Sequence, residues 1–457
     1  MGALLFRAAD ESVAARHRVL AATSVSYLIV MLDTSIVNVA LERIADELGI
    51  AIAGLQWLVS AYTLAFASLL LTGGTLGDQW GPRRVYGAGL ALFAGASTLC
   101  GLAATLPGLV VARVLQGAGA ALLVPSSLKL INQACPEPAV RARAIGFWIG
   151  CGGVAMAAGP LVGGALIHAF GWRSIFFVNL PIGLLGLALL SRVPPDAASM
   201  GGARFDLAGQ VSAAAALGGL IAVLIEGRPL GWTSPPILAG TAATAAAWIC
   251  FLAVEARVLR PMLPLSLFRS GIFTGSTVAS TASAFVFYGL LFVTSLYFQG
   301  VRGYSPFEAG GALVPLTAMV AVGSLLSNRL VMRLGVRWAV CAAFGAYAIG
   351  ALAFWSFGPT SPYVLAIPPL LLIGLAAGVI SPAATAPALG AVEHSRTGVA
   401  GAVLNAGRQA GAAIGVAIFG SLVAAFPSFE TGLHTALATA AAASFVAGLV
   451  WWRALRS

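Results

Sequence analysis

Charge is what this sequence has least of: 9% of its 457 residues are Asp, Glu, Lys or Arg, while 59% are hydrophobic and the mean hydropathy is +0.95. Soluble globular domains carry nearer a quarter charged residues, so a water-soluble fold is excluded. Cysteine is also sparse. Cys100, Cys135, Cys151, Cys250 and Cys341 stand apart with no CxxC spacing and no histidine partner, which argues against both a disulfide framework and a metal site. The chain has no GxxxxGK[ST] phosphate loop, no HExxH, no GxSxG and no paired carboxylates. ATP-driven work and hydrolysis therefore both lack parts, and neither an enzyme nor a resident cofactor is expected.

What the chain has instead is apolar runs long enough to cross about 30 Å of hydrocarbon, which helices alone do economically while satisfying their backbone groups. Fourteen spans are predicted, at 19–41, 53–75, 83–103, 107–129, 143–168, 174–191, 206–226, 236–255, 272–298, 308–328, 338–356, 362–388, 401–424 and 433–454. Arg16, His17 and Arg18 precede the first run as in a signal peptide. No small-residue cleavage site follows and the run is of spanning length, so it reads as helix one. The net charge of +10 sorts by side of the membrane. With the N-terminus inside, nineteen of the 25 positive residues fall in cytoplasmic segments, among them Arg7, Lys129, Arg204, Arg260, Arg333, Arg337 and Arg456; Arg43, Arg173, Arg228 and Arg302 fall opposite. That asymmetry places both termini in the cytoplasm and assigns the basic pI to topology, not to a nucleic-acid partner.

Two short stretches recur. GDQWGPRR (Gly77 to Arg84) aligns with VMRLGVRW (Val331 to Trp338) at an offset of 254, setting Gly81 over Gly335 and Arg83 over Arg337; GAGAALLVP (Gly117 to Pro125) aligns with GLAAGVISP (Gly374 to Pro382) at 257. Such a duplication predicts two six-helix halves with the pair from 206 to 255 between them. The expected organisation is an all-α polytopic membrane protein: an N-terminal six-helix bundle at 1–192, two linker helices with flanking loops at 193–270, and a C-terminal six-helix bundle at 271–457.

Within the first half, the run from Gly146 to Gly183 is lipid-grade apolar yet rich in glycine. At 3.6 residues per turn, Gly146, Gly150, Gly153, Ala157, Pro160 and Gly164 share one stripe, with Gly159 and Gly163 as a GxxxG pair beside it. One side of this helix is nearly bare backbone, so another helix can approach closely, and Pro160 removes a donor to the Met156 carbonyl and predicts a kink. Plain helix packing accounts for such a face as readily as a sliding or sealing surface does.

An ionisable group deep in a span costs about 3 kcal/mol or more and asks for a reason. Asp33, in MLDTSIVNVAL, and Arg113, in ARVLQGAGAALLVP, lie at similar depths and are able to pair, either as a proton-exchanging site or as a fixed tie between helices. The repeat sets Leu370 where Arg113 stands, so the scaffold itself requires no arginine there. Arg408, in LNAGRQAGAAIG, lies within snorkelling reach of the cytoplasmic end, with Asn405 and Gln409 near it to line a cavity or to bond between helices. Glu226 ends a span near the outer surface and is expected to be exposed. In LGDQWGPRR, Asp78 closes one helix, Pro82 opens the next, and Arg83 and Arg84 face the inner leaflet; anchoring accounts for the arginines but poorly for Asp78.

Taken in order, MLDTSIVNVAL, LGDQWGPRR, ARVLQGAGAALLVP, GGVAMAAGPLVGGAL with GWRSIFFVNLPIG, LYFQGVRGYSPFEAG and LNAGRQAGAAIGVA resemble motifs of the major facilitator superfamily, in its fourteen-helix drug:proton antiporter branch, over nearly the whole chain. The resemblance implies two bundles rocking about a central cavity in the plasma membrane. Proton entry would drive the exit of a small hydrophobic, drug-like or secondary-metabolite substrate, as in multidrug efflux, with the proton gradient as energy source and no cofactor. It implies proton coupling for Asp33 and Arg113, a cytoplasmic gate at Asp78, Arg83 and Arg84, and a helix-five antiporter motif at Gly153, Gly159, Pro160, Gly163 and Gly164. Glu42 departs from the helix-one motif, which has proline there, and Gln79 and Pro82 replace usually basic loop positions. The substrate cavity is expected among Asn38, Tyr62, Gln116, Phe285, Tyr288, Gln299, Asn405 and Arg408. Partners are then substrate, protons and the lipid bilayer, with no nucleic acid and no oligomer implied. An uptake symporter, a lipid flippase on the same fold and a non-transporting membrane receptor are the alternatives; the glycine face favours export, and Asp33 with Arg113 weighs against the receptor.

Overall fold

The computed structural model describes residues 2–195, 206–258, 261–393 and 396–455, with side chains from Arg16 onward. Arg204, Arg260 and Arg456, counted above as cytoplasmic cations, lie outside the described residues, as does the Arg7 side chain. The described residues form helices and no strand. In chain order they are α1 (Gly2–Leu48), α2 (Ile52–Trp80), α3 (Pro82–Leu102), α4 (Leu106–Ala134), α5 (Pro138–Phe170), α6 (Ser174–Phe177), α7 (Asn179–Ser191), α8 (Leu207–Glu226), α9 (Pro235–Arg257), α10 (Gly271–Leu296), α11 (Pro306–Phe354), α12 (Ile367–Gly390), α13 (Thr397–Ala424) and α14 (Phe429–Ala454).

Local chemistry sets where these helices start. Proline, whose missing amide costs nothing in the first turn, opens α3, α5, α9 and α11. Thr105 and Ser270 cap α4 and α10 by accepting the Gly108 and Phe273 amides, and Ser305 with Glu308 forms a reciprocal capping box on α11. Several helices outrun their apolar runs. The first ends at Leu48 where 41 was predicted, and the fourth at Ala134 where 129 was, because interfacial polar residues continue the i→i−4 ladder. Arg43 is accordingly helical and not in a loop.

Thirteen stretches among the described residues are long and apolar enough to cross a membrane, α6 and α7 together making one. That is one fewer than predicted, because 308–328 and 338–356 fall within the single 49-residue α11. A straight helix of that length would reach about 74 Å. It is not straight: Gly335, at φ 77° and ψ 154°, breaks the helical path. α5, in contrast, continues through Pro160 as one element.

α1 to α5 and α7 pack on one another, as do α10 to α14, and the two groups meet along α5 with α11 and α2 with α13. The hairpin of α8 and α9 lies outside, α8 touching both α2 and α13. Within lipid the packing of small residues replaces the hydrophobic effect as the force between helices. Gly117 takes the Tyr62 carbonyl, and Gly374 takes the Leu316 carbonyl, each closer than a Cβ would allow. The same contact thus recurs in both groups.

The apolar core is divided unevenly. At the face away from the basic loops, one cluster joins Leu41, Ile44 and Phe176 of the first group with Leu291, Phe298 and Phe354 of the second. Toward the face that carries Arg83, Arg84, Arg333 and Arg337, the core splits into separate clusters, around Tyr86 and Trp148 in one group and around Phe273 and Val403 in the other. A cavity of about 650 Å³ opens between them.

Candidate functional site

Within the first helix group sits a buried charge pair. Asp33, in the middle of α1, is fully buried, and Arg113 of α4 is 1% exposed. Arg113 Nη1 donates to Asp33 Oδ2 at 2.6 Å and to Gln116 Oε1 at 2.8 Å, while its Nε donates to the Leu58 carbonyl at 3.2 Å. Gln116, one turn further along α4, returns its amide to Asp33 Oδ1 at 2.8 Å. Asn179, at the start of α7, donates to the same oxygen at 3.2 Å and to Ser97 at 3.0 Å. The guanidinium lies 4.3 Å over the Tyr62 ring, a cation–π contact in a site cut off from water.

Each donor satisfies a charge that burial would otherwise make costly. Asn179 and Ser97 were not foreseen. The signal for Asn179 was its isolation as the one polar side chain in FFVNLPIG, where lipid-facing residues have no use for an amide. Tyr62 and Arg113 also line a void of about 10 Å³ with Tyr288, Ala412 and Val416 of the second group, so the pair abuts the seam between groups. The buried Tyr62 lines this void beside Thr34.

The glycine face of α5 lies on that seam and changes character along its length. Toward the basic face, a Cβ on Gly146 or Gly150 would meet nothing within 4 Å. On Gly153 it would touch Ala321 of α11 at 3.9 Å, and on Gly164 it would strike the Pro306 carbonyl at 2.5 Å. Between these, Thr317 of α11 donates to the Ala157 carbonyl at 3.1 Å, and the Pro160 carbonyl packs against Gly310. Gly159 and Gly163 face the other way, against Ser35 and Ile36 of α1. One row of glycines thus fastens α5 to its own group and the other measures its separation from the second group.

Further contacts close the far end. Gln56 of α2 donates to the Ala417 carbonyl at 2.5 Å, and Ser295 donates to the Asn38 carbonyl at 2.6 Å. Asn38, Gln116 and Gln299 were expected to line the cavity, but they do not face the open one: Asn38 and Gln299 are absorbed into this closure and Gln116 into the charge network. Glu42 lies half-buried against Gly300 of the second group. Glu226 is half-buried, not exposed, because the Trp57 indole donates to it at 2.7 Å.

Asn405 lines the open cavity; Phe285 packs edge-on against Phe419 at 5.2 Å. Arg408 donates to Ser381 Oγ at 2.6 Å and to Asn405 Oδ1. At the cavity's rim Asp78 accepts from Lys129 of α4 at 2.5 Å, so this lysine is a side-chain partner as well as a cytoplasmic cation, and Arg83 donates to the Leu190 carbonyl at 3.5 Å. No group of three or more His, Cys, Asp or Glu able to hold a metal occurs among the described residues.

Two helix groups packed through glycine seams about a cavity, with an ion pair sealed inside the first group, define the class as an all-α polytopic membrane transporter. The chain belongs to the Major Facilitator Superfamily, whose profile matches residues 23–416. It is 36% identical over 439 residues to the Methylenomycin A resistance protein of Bacillus subtilis, spanning 95% of this chain and 93% of that one. It is 36% identical over 415 residues to the multidrug resistance protein Stp of Mycobacterium tuberculosis, spanning 91% and 77%. In fold it resembles a bacterial homolog of the human lysosomal transporter Spinster in an inward-facing, unoccupied conformation, with TM-score 0.69, 18% identity and 97% of each chain covered. A D-xylose-proton symporter superposes with TM-score 0.68 at 17% identity, over 96% and 97% of the two chains.

Proposed function

We propose that this protein is a proton-coupled antiporter that exports small hydrophobic, drug-like compounds from the cytoplasm across the plasma membrane. The observation that carries the reading is Asp33: a fully buried carboxylate paired with Arg113, which itself lines the seam between the two helix groups. In this reading the basic face is cytoplasmic, both termini lie there, and α11 turns back at Gly335 to make fourteen crossings. Residues 1–192 and 271–457 form the two six-helix bodies, with 193–270 as the linker pair. The resistance functions for which the relatives are named favour efflux over uptake.

A proton bound by Asp33 removes the charge that holds Arg113 Nη1. Arg113 is then a buried cation kept by the Leu58 carbonyl, Gln116 and the Tyr62 ring alone. Leaving a buried charge without its counter-ion costs about 3–5 kcal/mol. One inward proton supplies about 2.3 kcal/mol per 100 mV and about 1.4 per pH unit, a comparable sum. The charge change at this pair is thus large enough to bias one arrangement of the bodies over the other. The gate of Asp78, Arg83 and Arg84, now with Lys129, would break and reform at the cytoplasmic rim.

Proteoliposomes with an imposed pH gradient test this. Native protein is expected to move a hydrophobic dye against its gradient with counterflow of protons, and Asp33→Asn to bind the dye without gradient-driven movement. Undiminished driven transport by Asp33→Asn would remove Asp33 from the mechanism.

A further inference from the structure

We propose that Asp206 and Glu255 share one exchangeable proton at the rim of the cavity on the basic face, and that this proton clasps the segment after α9 to the start of α8. Asp206 caps α8, accepting the Gly209 amide on Oδ1 at 2.9 Å. Its other oxygen is buried and has no hydrogen-bond partner. Glu255, in the last turn of α9 and 3% exposed, accepts the Leu263 amide on Oε2 at 2.9 Å. Its Oε1 is likewise buried without a partner. The two orphan oxygens converge on Gly209: they lie 2.6 and 2.7 Å from the point its Cβ would occupy, so their separation cannot exceed the sum of those distances. Glycine is what leaves room for both.

Two ionised carboxylates have four acceptor oxygens and no donor, whereas one protonated carboxyl donates. Facing each other while buried, two carboxylates would repel and leave two acceptors unmet. A single proton on either orphan oxygen forms an O–H···O bond to the other and resolves both at once. Among the described residues the neighbouring side chains offer no substitute. Gln210 of α8 meets Thr72 and the Ser68 carbonyl of α2 through neutral contacts. Lys129 of α4 is engaged with Asp78 of α2, and Arg257 is exposed at the end of α9. Arg204 and Arg260 lie outside the described residues.

The location gives the proton its meaning. Asp206, Pro261 and Met262 line the open cavity and Asp33 does not, so the pair exchanges with the compartment the cavity faces and not with Asp33. Residues 261–270 lead from the linker hairpin into α10. Loss of the proton sets the two charges against each other and frees that lead, which makes the tether between hairpin and second body responsive to pH. The inference does not depend on the cargo or on the direction of transport.

Hydrogen–deuterium exchange of the full-length protein in nanodiscs tests it, following peptides at 206–212 and 258–266 from about pH 5.5 to about pH 8.5 after correction for intrinsic exchange. One shared proton predicts that native protection falls about tenfold per pH unit above the midpoint. Glu255→Gln, whose amide donates to Asp206 at every pH, and Asp206→Asn, which keeps the cap, are each expected to stay protected with no pH dependence. Gly209→Ala is expected to lack protection throughout. Peptides of α3 report whether each variant is folded, and either amide variant suffices if the other does not fold. Native protection that is flat with pH, a pH dependence that persists in both amide variants, or protection restored at high pH by sodium or calcium, which would make the pair a metal-cation site, each overturns the proposal.

Discussion

Gly81 and Gly335, 254 positions apart, hold the same unusual backbone: φ 88° and ψ 137° in one, φ 77° and ψ 154° in the other. Each ends a helix at the basic face and starts the next within one residue, and L side chains rarely adopt such angles. Alanine at either site is expected to cost about 1–3 kcal/mol. Thermal unfolding of the two variants should show matching losses; a loss at Gly81 with none at Gly335 would contradict the structural equivalence of the two turns.

Arg113 and Asp33 form a buried pair, and such pairs punish the removal of one partner more than of both. Arg113→Ala is expected to lower stability by about 3–5 kcal/mol, and Asp33→Ala with Arg113→Ala to recover much of that loss. Denaturation of the purified single and double variants measures the difference. A strictly additive double variant would mean the two side chains do not act as a pair.

Along α5 the glycines predict opposite responses to the same added methyl. Gly164→Ala drives a Cβ into the Pro306 carbonyl and is expected to disfavour the form closed at the far face, whereas Gly150→Ala meets nothing in that form. Cysteine cross-linking across the far end of α5 and α11 should drop several-fold for Gly164→Ala and hold for Gly150→Ala. Equal behaviour of the two would contradict the wedge shape.

Lys129 and Asp78 are joined at 2.5 Å but their side chains are 27% and 63% exposed, so their pairing is worth about 0–1 kcal/mol. Lys129→Gln is therefore expected to leave the unfolding temperature nearly unchanged while slowing transport. The exchanged pair Asp78→Lys with Lys129→Asp should regain part of the rate. A large stability loss in Lys129→Gln would make this a structural tie and not a gate contact.

Much of this architecture was legible because lipid imposes few solutions. Apolar length located the spans, charge asymmetry sorted the loops, and the recurrence of Gly81 at Gly335 exposed the duplicated turn. Asp33 and Arg113 stood out because ionisable groups in hydrocarbon are rare. Their supporting cast was harder to see. Gln116 and Asn179 are ordinary amides until the fold brings α4 and α7 against α1, and Asn38 and Gln299 look like cavity residues until the closed far end consumes them. Helix ends misled for a simpler reason: hydropathy marks the hydrocarbon boundary, while the backbone ladder continues past it, as at Leu48.

The empty space beside Gly146 and Gly150 has a pharmacological consequence. A bulky group fixed there would act as a doorstop against the approach of α5 to α11. Inhibition of that kind would be indifferent to which compound is being carried, so broad substrate tolerance would offer no escape from it.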